Sequence, residues 1–170
     1  MSGANANQGD RRGLRRLRIW WCEAYKLMLR GMYGEHLELG RDVFFRKGFS
    51  VYMRPFPGSK LTIGDGCQFN TGCSITCQDR ITIGPNCLFG EGVRIYDHDH
   101  AFDAAEIRRD EFTMAPVTIG AGCWFGSGVI ILKGVTIGDN VIVGAGTRVV
   151  KDIPANTLVH ERIDLVTRPR

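Results

Sequence analysis

Residues 116–154 read PVTIGAGCWFGSGVIILKGVTIGDNVIVGAGTRVVKDIP, and within them Ile119, Phe125, Ile131, Ile137, Val143 and Val149 recur every six positions. Two residues before each stands a second apolar or small residue: Val117, Cys123, Val129, Val135, Val141 and Thr147. The same beat runs upstream through Ile83, Phe89 and Ile95, and before that through Ile63, Phe69 and Ile75. Their partners two residues earlier are Ile81, Cys87 and Val93, then Leu61, Cys67 and Cys73. Gly commonly follows the aliphatic position, as at Gly64, Gly84, Gly120 and Gly138. A fixed short period with turn glycines is the signature of a stacked solenoid.

Residues two apart on a strand point the same way. Each six-residue unit therefore offers two inward side chains and then turns at a residue that tolerates tight or left-handed backbone. Three units make one triangular coil of about eighteen residues, and stacking coils buries the inward ladder. Spacings of two and six exclude an amphipathic helix, which needs three and four. No helical pattern of useful length separates the strands, which excludes a βαβ fold.

The stretches LTIGDGCQFNTGCSI (61–75), ITIGPNCLFGEGVRIYDHDHAFD (81–103) and 116–154 resemble the hexapeptide-repeat acyltransferases, most of all the galactoside, maltose and polysaccharide O-acetyltransferase branch. The resemblance covers a little over half of the chain. It implies an all-β fold, a left-handed parallel β-helix, and transfer of an acetyl group from acetyl-CoA to a sugar hydroxyl in surface-polysaccharide or lipopolysaccharide synthesis. It also implies a homotrimer with sites between subunits.

The 170 residues fit one domain with a sizeable core. Three parts are expected: a polar tail and basic amphipathic helix at 1–40, the β-helix at 41–155 with an inserted loop at 96–116, and a tail at 156–170. No apolar run is long enough to span a bilayer, and the polar first residues carry no signal-peptide pattern. Four of the six Cys (Cys67, Cys73, Cys87 and Cys123) hold inward small positions of the repeat, where thiols act as small hydrophobes. No CxxC occurs, so reduced thiols in a cytoplasmic protein are expected. Nothing in the pattern points to nucleic acid.

Residues 11–34, RRGLRRLRIWWCEAYKLMLRGMYG, turn basic and then amphipathic. Leu14, Leu17, Trp21, Tyr25 and Met28 predict a helix over 14–32, after a disordered segment at 1–10. Either the helix docks on the end of the β-helix with its arginines in water, or its basic, Trp-bearing surface rests on anionic lipid at the inner membrane face; a subunit contact is the third option. Residues 38–60 predict an irregular first coil ending at the Pro55 and Pro57 turn. Two extra residues interrupt the period at 77–80. The repeat then stops for some twenty residues at 96–116, and long excursions of this kind are often functional.

Two of the four His lie where that excursion leaves the repeat, in YDHDHAFD. Acyl transfer to a hydroxyl needs a general base, and imidazole titrates near operating pH. Asp97, Asp99 and Asp103 are within local reach to orient it. A gapless match puts His100 on the family's catalytic His, with His98 its neighbour on the same side of an extended segment. The resemblance further assigns Asn70 and Glu111 beside the acceptor, with Asp103 near them. It sets Trp124 at the thiol end of the coenzyme, Gly126, Ser127, Gly144 and Ala145 along the pantetheine arm, and Lys151 at the nucleotide phosphates. After KDIP the family's usual small-residue, Pro and Arg ending gives way to ANTLVHERIDLVTRPR. Competing functions are N-acetylation of an amino sugar, a metal hydratase of the γ-carbonic-anhydrase type, and a non-catalytic solenoid. The hydratase needs three converging His, and the repeats hold no third one. No metal site is therefore expected.

Overall fold

A computed structural model describes residues 6–55, 57–104 and 106–162. The described residues form one α-helix, α1 (Ala6–Tyr33), followed by a parallel β-solenoid of about six turns with a triangular cross-section. The first face stacks β1 (Leu37–Leu39), β4 (Lys60–Ile63), β7 (Arg80–Ile83), β12 (Val117–Ile119) and β15 (Thr136–Ile137). The second stacks β2 (Phe44–Phe45), β5 (Gln68–Phe69), β8 (Leu88–Phe89), β13 (Trp124–Phe125), β16 (Ile142–Val143) and β18 (Leu158–Val159). The third stacks β3 (Ser50–Met53), β6 (Ser74–Cys77), β9 (Arg94–Tyr96), β14 (Ile130–Ile131) and β17 (Arg148–Val149).

Every position of the six-residue period lands on its own kind in the next coil. Ile63 pairs Ile83, Phe69 pairs Phe89, and Ile75 pairs Ile95. Inward residues therefore form continuous buried columns. One is aromatic: Phe69 stacks on Phe89 at 4.3 Å between centroids, and Phe89 on Phe125 at 4.9 Å. Another is sulfur-bearing, with Cys67, Cys87 and Cys123 all buried and free. Cys73 is buried and free in the neighbouring column with Val93 and Val129, and burial pushes its thiol pKa up.

Glycine acts differently from the simple turn role. Gly84, which follows the aliphatic position, has no positive φ. A Cβ there would sit 2.7 Å from the carbonyl carbon of Gly120 in the next coil. Close coil stacking is what demands it. The left-handed backbone falls two residues later, as at Gly72 (φ 71°) and Gly92 (φ 66°).

Three boundaries differ from the sequence expectation. The first coil is regular: β1 pairs β4 and β3 pairs β6 in register, so the solenoid starts at Leu37 rather than 41. Its columns are Leu37, Val43, Phe45 and Phe49, and Leu39, Phe45 and Val51 keep the six-residue spacing, with Arg46 and Phe49 where the later coils carry Asn or Gly and a smaller residue. At the other end β18 pairs β16, which carries the solenoid past 155. Residues 163–170 of the expected tail, and 1–5 of the expected disordered segment, lie outside the described residues. The helix is longer than its apolar spacing, because nothing between Ala6 and Leu14 stops it. Once a packed segment nucleates a helix, each further residue adds a backbone hydrogen bond.

That packed segment covers the open end of the first coil, with a different stripe inward from the one the spacing suggested. Cys22, Leu29 and Tyr33 are buried, while Leu17 and Met28 are exposed. Phe45 donates its N–H to Cys22 Sγ, and the Tyr25 and Tyr33 hydroxyls donate to the carbonyls of Phe49 and Val51. The first coil offers these groups at fixed places, and they select the helix face.

Two outcomes follow from the columns. Cys67, Cys73, Cys87 and Cys123 should resist a thiol reagent in the native protein and react fully on denaturation, as followed by mass spectrometry. Phe89→Ala, which removes the middle ring of the aromatic column, should lower unfolding free energy by about 3–5 kcal/mol in chemical denaturation.

Candidate active site

Among the described residues, the insertions into the six-residue period fall on one edge of the prism, where the third face turns into the first face of the next coil. The connection from β3 to β4 bulges there in the first coil, Gln78 and Asp79 in the second, and the long excursion in the third. The excursion is not a structureless loop. It is an antiparallel hairpin of β10 (His98–Phe102) and β11 (Ile107–Met114), with a register break between His100 and Ala101. A bulge of this kind re-aims side chains at a sheet edge. Beside the hairpin, a cleft of about 350 Å³ is lined by Pro57, Gly58, Ser59, Asp79, Arg80 and Met114 among others.

The hairpin is rooted in the solenoid by Asp97, which is 0% exposed. Its carboxylate accepts the Gln78 N–H at 2.8 and 3.0 Å and the Asp79 N–H at 2.8 Å. A fourth contact, 3.0 Å from His98 Nδ1, makes that nitrogen the donor and leaves Nε2 the lone pair of the neutral ring. Burial, together with the nearby Asp97 charge, pushes the Cys77 thiol up. From the following coil, Lys133 Nζ lies 3.0 Å from Asp99 and donates to Thr113 Oγ1 at 2.6 Å. The hairpin is thus held from the coil before and the coil after.

The two imidazoles share one face. His98 meets the Phe112 ring edge-on at 5.2 Å, and His100 lies 4.8 Å from the same ring. Arg54, from the first-coil bulge, sits over Phe112 at 5.7 Å. His98 is half-buried against its carboxylate, whereas His100 is exposed. A base must reach a mobile hydroxyl, and His100 is the ring that is open to one. Among the expected acceptor residues, Asp103 and Glu111 are both held by Arg108, at 2.9 and 3.0 Å. Their charges serve the hairpin tip.

The remaining residues gather elsewhere. Asn70 sits where β5 turns toward the third face, at the position held by Gly90, Gly126 and Gly144 in other coils. With Trp124, which is 53% exposed, Asn70 lines a shallow cleft of about 190 Å³ on the second face. Ser127 and Ala145 follow on the same edge, small and exposed. Gly126 itself is explained by coil stacking, since a Cβ there would meet Ala145 N at 2.5 Å. Lys151 follows β17 on the hairpin edge instead. One chain therefore carries the His pair and Lys151 on one edge, and the Asn70, Trp124, Ser127 and Ala145 set beside another. Sequence reading missed Phe112, Lys133 and Arg54, none of which lies near the His pair along the chain. The one available signal was the lone aromatic in the charged run RRDEFTM.

The bacterial transferase hexapeptide family, defined by six repeats, matches residues 116–151. The galactoside O-acetyltransferase of Escherichia coli K12 is 39% identical over 69% of this chain and 60% of its own length. The chain thus spans less than two thirds of that relative. WcaF of the same organism, provisionally described as a colanic acid biosynthesis acetyltransferase, is 27% identical over 100% of this chain and 96% of its own. A hexapeptide-repeat acetyltransferase from Vibrio cholerae superposes with a TM-score of 0.68 at 30% identity, covering 93% of this chain and 89% of that one. That protein has also been crystallised with acetyl-coenzyme A. Ladder, corner glycines and these likenesses together show that the chain belongs to the hexapeptide-repeat acetyltransferases.

Proposed function

We propose that this protein is an O-acetyltransferase that moves an acetyl group from acetyl-CoA to a sugar hydroxyl of a surface polysaccharide or lipopolysaccharide. The observation that carries the reading is the pair of imidazoles over Phe112, on a hairpin anchored by a buried carboxylate. The galactoside, colanic acid and acetyl-coenzyme A descriptions of its relatives support the substrate classes.

His100 is the base. Its ring nitrogen takes the proton as the acceptor hydroxyl attacks, and returns it to the departing sulfur, so no net charge builds up on the enzyme. His98, held through Nδ1 by Asp97, positions the strand and fixes the face on which His100 stands. The thioester supplies an activated acetyl group and a stable thiolate leaving group. The small exposed corner at Ser127 and Ala145, beside Trp124, fits a narrow pantetheine arm, because larger side chains there would fill the space. Lys151 meets phosphate as a point charge. A backbone N–H on this edge would stabilise the oxyanion.

The assembly follows from the division of edges. The hairpin edge of one copy must meet the cleft of another, which is a heterologous contact. Such contacts close into rings, and a three-sided prism closes as a homotrimer with three equivalent sites.

His100→Ala should lower turnover by about two to four orders of magnitude, with acetyl-CoA affinity retained. His98→Ala should cost less. The assay is thioester consumption against a panel of sugars and amino sugars. Equal activity of wild type and His100→Ala overturns the mechanism, and activity on amino sugars alone makes the product an amide. Co-expression of His100→Ala with Asn70→Ala chains should restore activity in about a quarter of the sites, because one chain supplies each intact edge. No restoration would put both edges in one chain. Asp97→Ala should speed proteolytic cleavage within 98–114 while leaving the coils protected, since three buried donors lose their acceptor.

A further inference from the structure

We infer that α1 is a membrane-docking helix, and that its partner is an anionic lipid surface. The helix is apolar on two opposite sides. Cys22, Leu29 and Tyr33 face the first coil. At about 3.6 residues per turn, Leu17, Trp20, Ala24, Leu27 and Met28 lie on the other side of the cylinder. There Trp20 is 71% and Leu27 72% exposed, and Leu17, Met28 and Met32 are exposed with them. Packing on the solenoid explains the first side and leaves the second without a function. Before Cys22, every residue whose side chain is described, Leu17, Ile19, Trp20 and Trp21, lies exposed.

Charge decides the occupant. The helix contains Arg11, Arg12, Arg15, Arg16, Arg18, Lys26 and Arg30 against only Asp10 and Glu23. That surplus exceeds the +4 of the whole chain, so the rest of the protein is slightly acidic and the basic charge sits at one end. A Trp- and Leu-bearing stripe on a helix crowded with arginine matches the boundary between acyl chains and anionic headgroups. Self-association through the same segment would set that surplus against itself. No helix of the described residues is long and apolar enough to cross a membrane, so α1 lies on the surface.

The test is co-sedimentation of the full chain with vesicles of phosphatidylcholine, with and without about a third phosphatidylglycerol. The chain should pellet with the anionic vesicles only, and added salt should release it. Trp20→Glu combined with Leu27→Glu should weaken binding by about tenfold or more, because both exposed residues lose their apolar burial in lipid. The readout does not depend on turnover, so it fails or holds separately from the acyltransferase reading. Equal binding to neutral vesicles, no binding, or unchanged binding by the double variant overturns the inference. A fall in oligomer mass in the double variant, seen by light scattering, also overturns it, because a second copy then covers the face.

Discussion

Everything in this molecule depends on how closely one coil sits on the next. Parallel strands pair at about 4.8 Å, so each side chain must share its column with the equivalent residue one coil away. Flat rings stack in such a column, as Phe69, Phe89 and Phe125 do. At the corners the backbones approach so closely that Gly84 has no room for a Cβ against the next coil. A repeat with these two demands leaves little freedom inside or at the first two edges.

Variation is therefore driven outward and to one place. The first-coil bulge, the Gln78 and Asp79 corner and the hairpin all leave the solenoid at the same edge. This stacking of irregularities creates a polar, deeply anchored cluster that holds two imidazoles, His98 and His100. Asp97 is its pivot, since one buried carboxylate binds the second-coil corner and the first His of the hairpin together. A rigid scaffold thus presents an exposed His100 on a short lever whose root cannot shift without breaking buried hydrogen bonds. The cleft of Asn70 and Trp124 is rigid for the opposite reason, being part of the regular wall. The His pair and the Asn70 and Trp124 cleft are thus two rigid clusters on different edges of the prism.

The helix solves a problem common to solenoids, whose terminal coils expose their columns. Cys22, Tyr25, Leu29 and Tyr33 cover Phe45 and Phe49 as a cap. A cap needs a polar outer side. Here the outer side instead carries exposed Leu17, Trp20, Leu27 and Met28.

The amino-acid sequence alone determined the fold, because a period of six with a two-residue step admits only one way to bury its ladder. It also marked the His pair, since an interruption in a strict repeat stands out against its background, and it placed the buried thiols through the same columns. The regular first coil keeps the beat in Leu39, Phe45 and Val51, blurred because Arg46 and Phe49 stand where the later coils carry Asn or Gly and a smaller residue; the inward stripe of α1 escaped it, because the first coil selects that stripe through hydrogen bonds to Cys22, Tyr25 and Tyr33. Tertiary structure alone decided that three scattered interruptions share one edge, that Asp97 rather than Asp99 or Asp103 holds His98, and that the His pair and the Asn70 and Trp124 cleft stand apart. The reason is geometric: a strict period encodes which way a side chain points within its coil, but contacts between bulges depend on how far each one travels outside the coils, where no period runs.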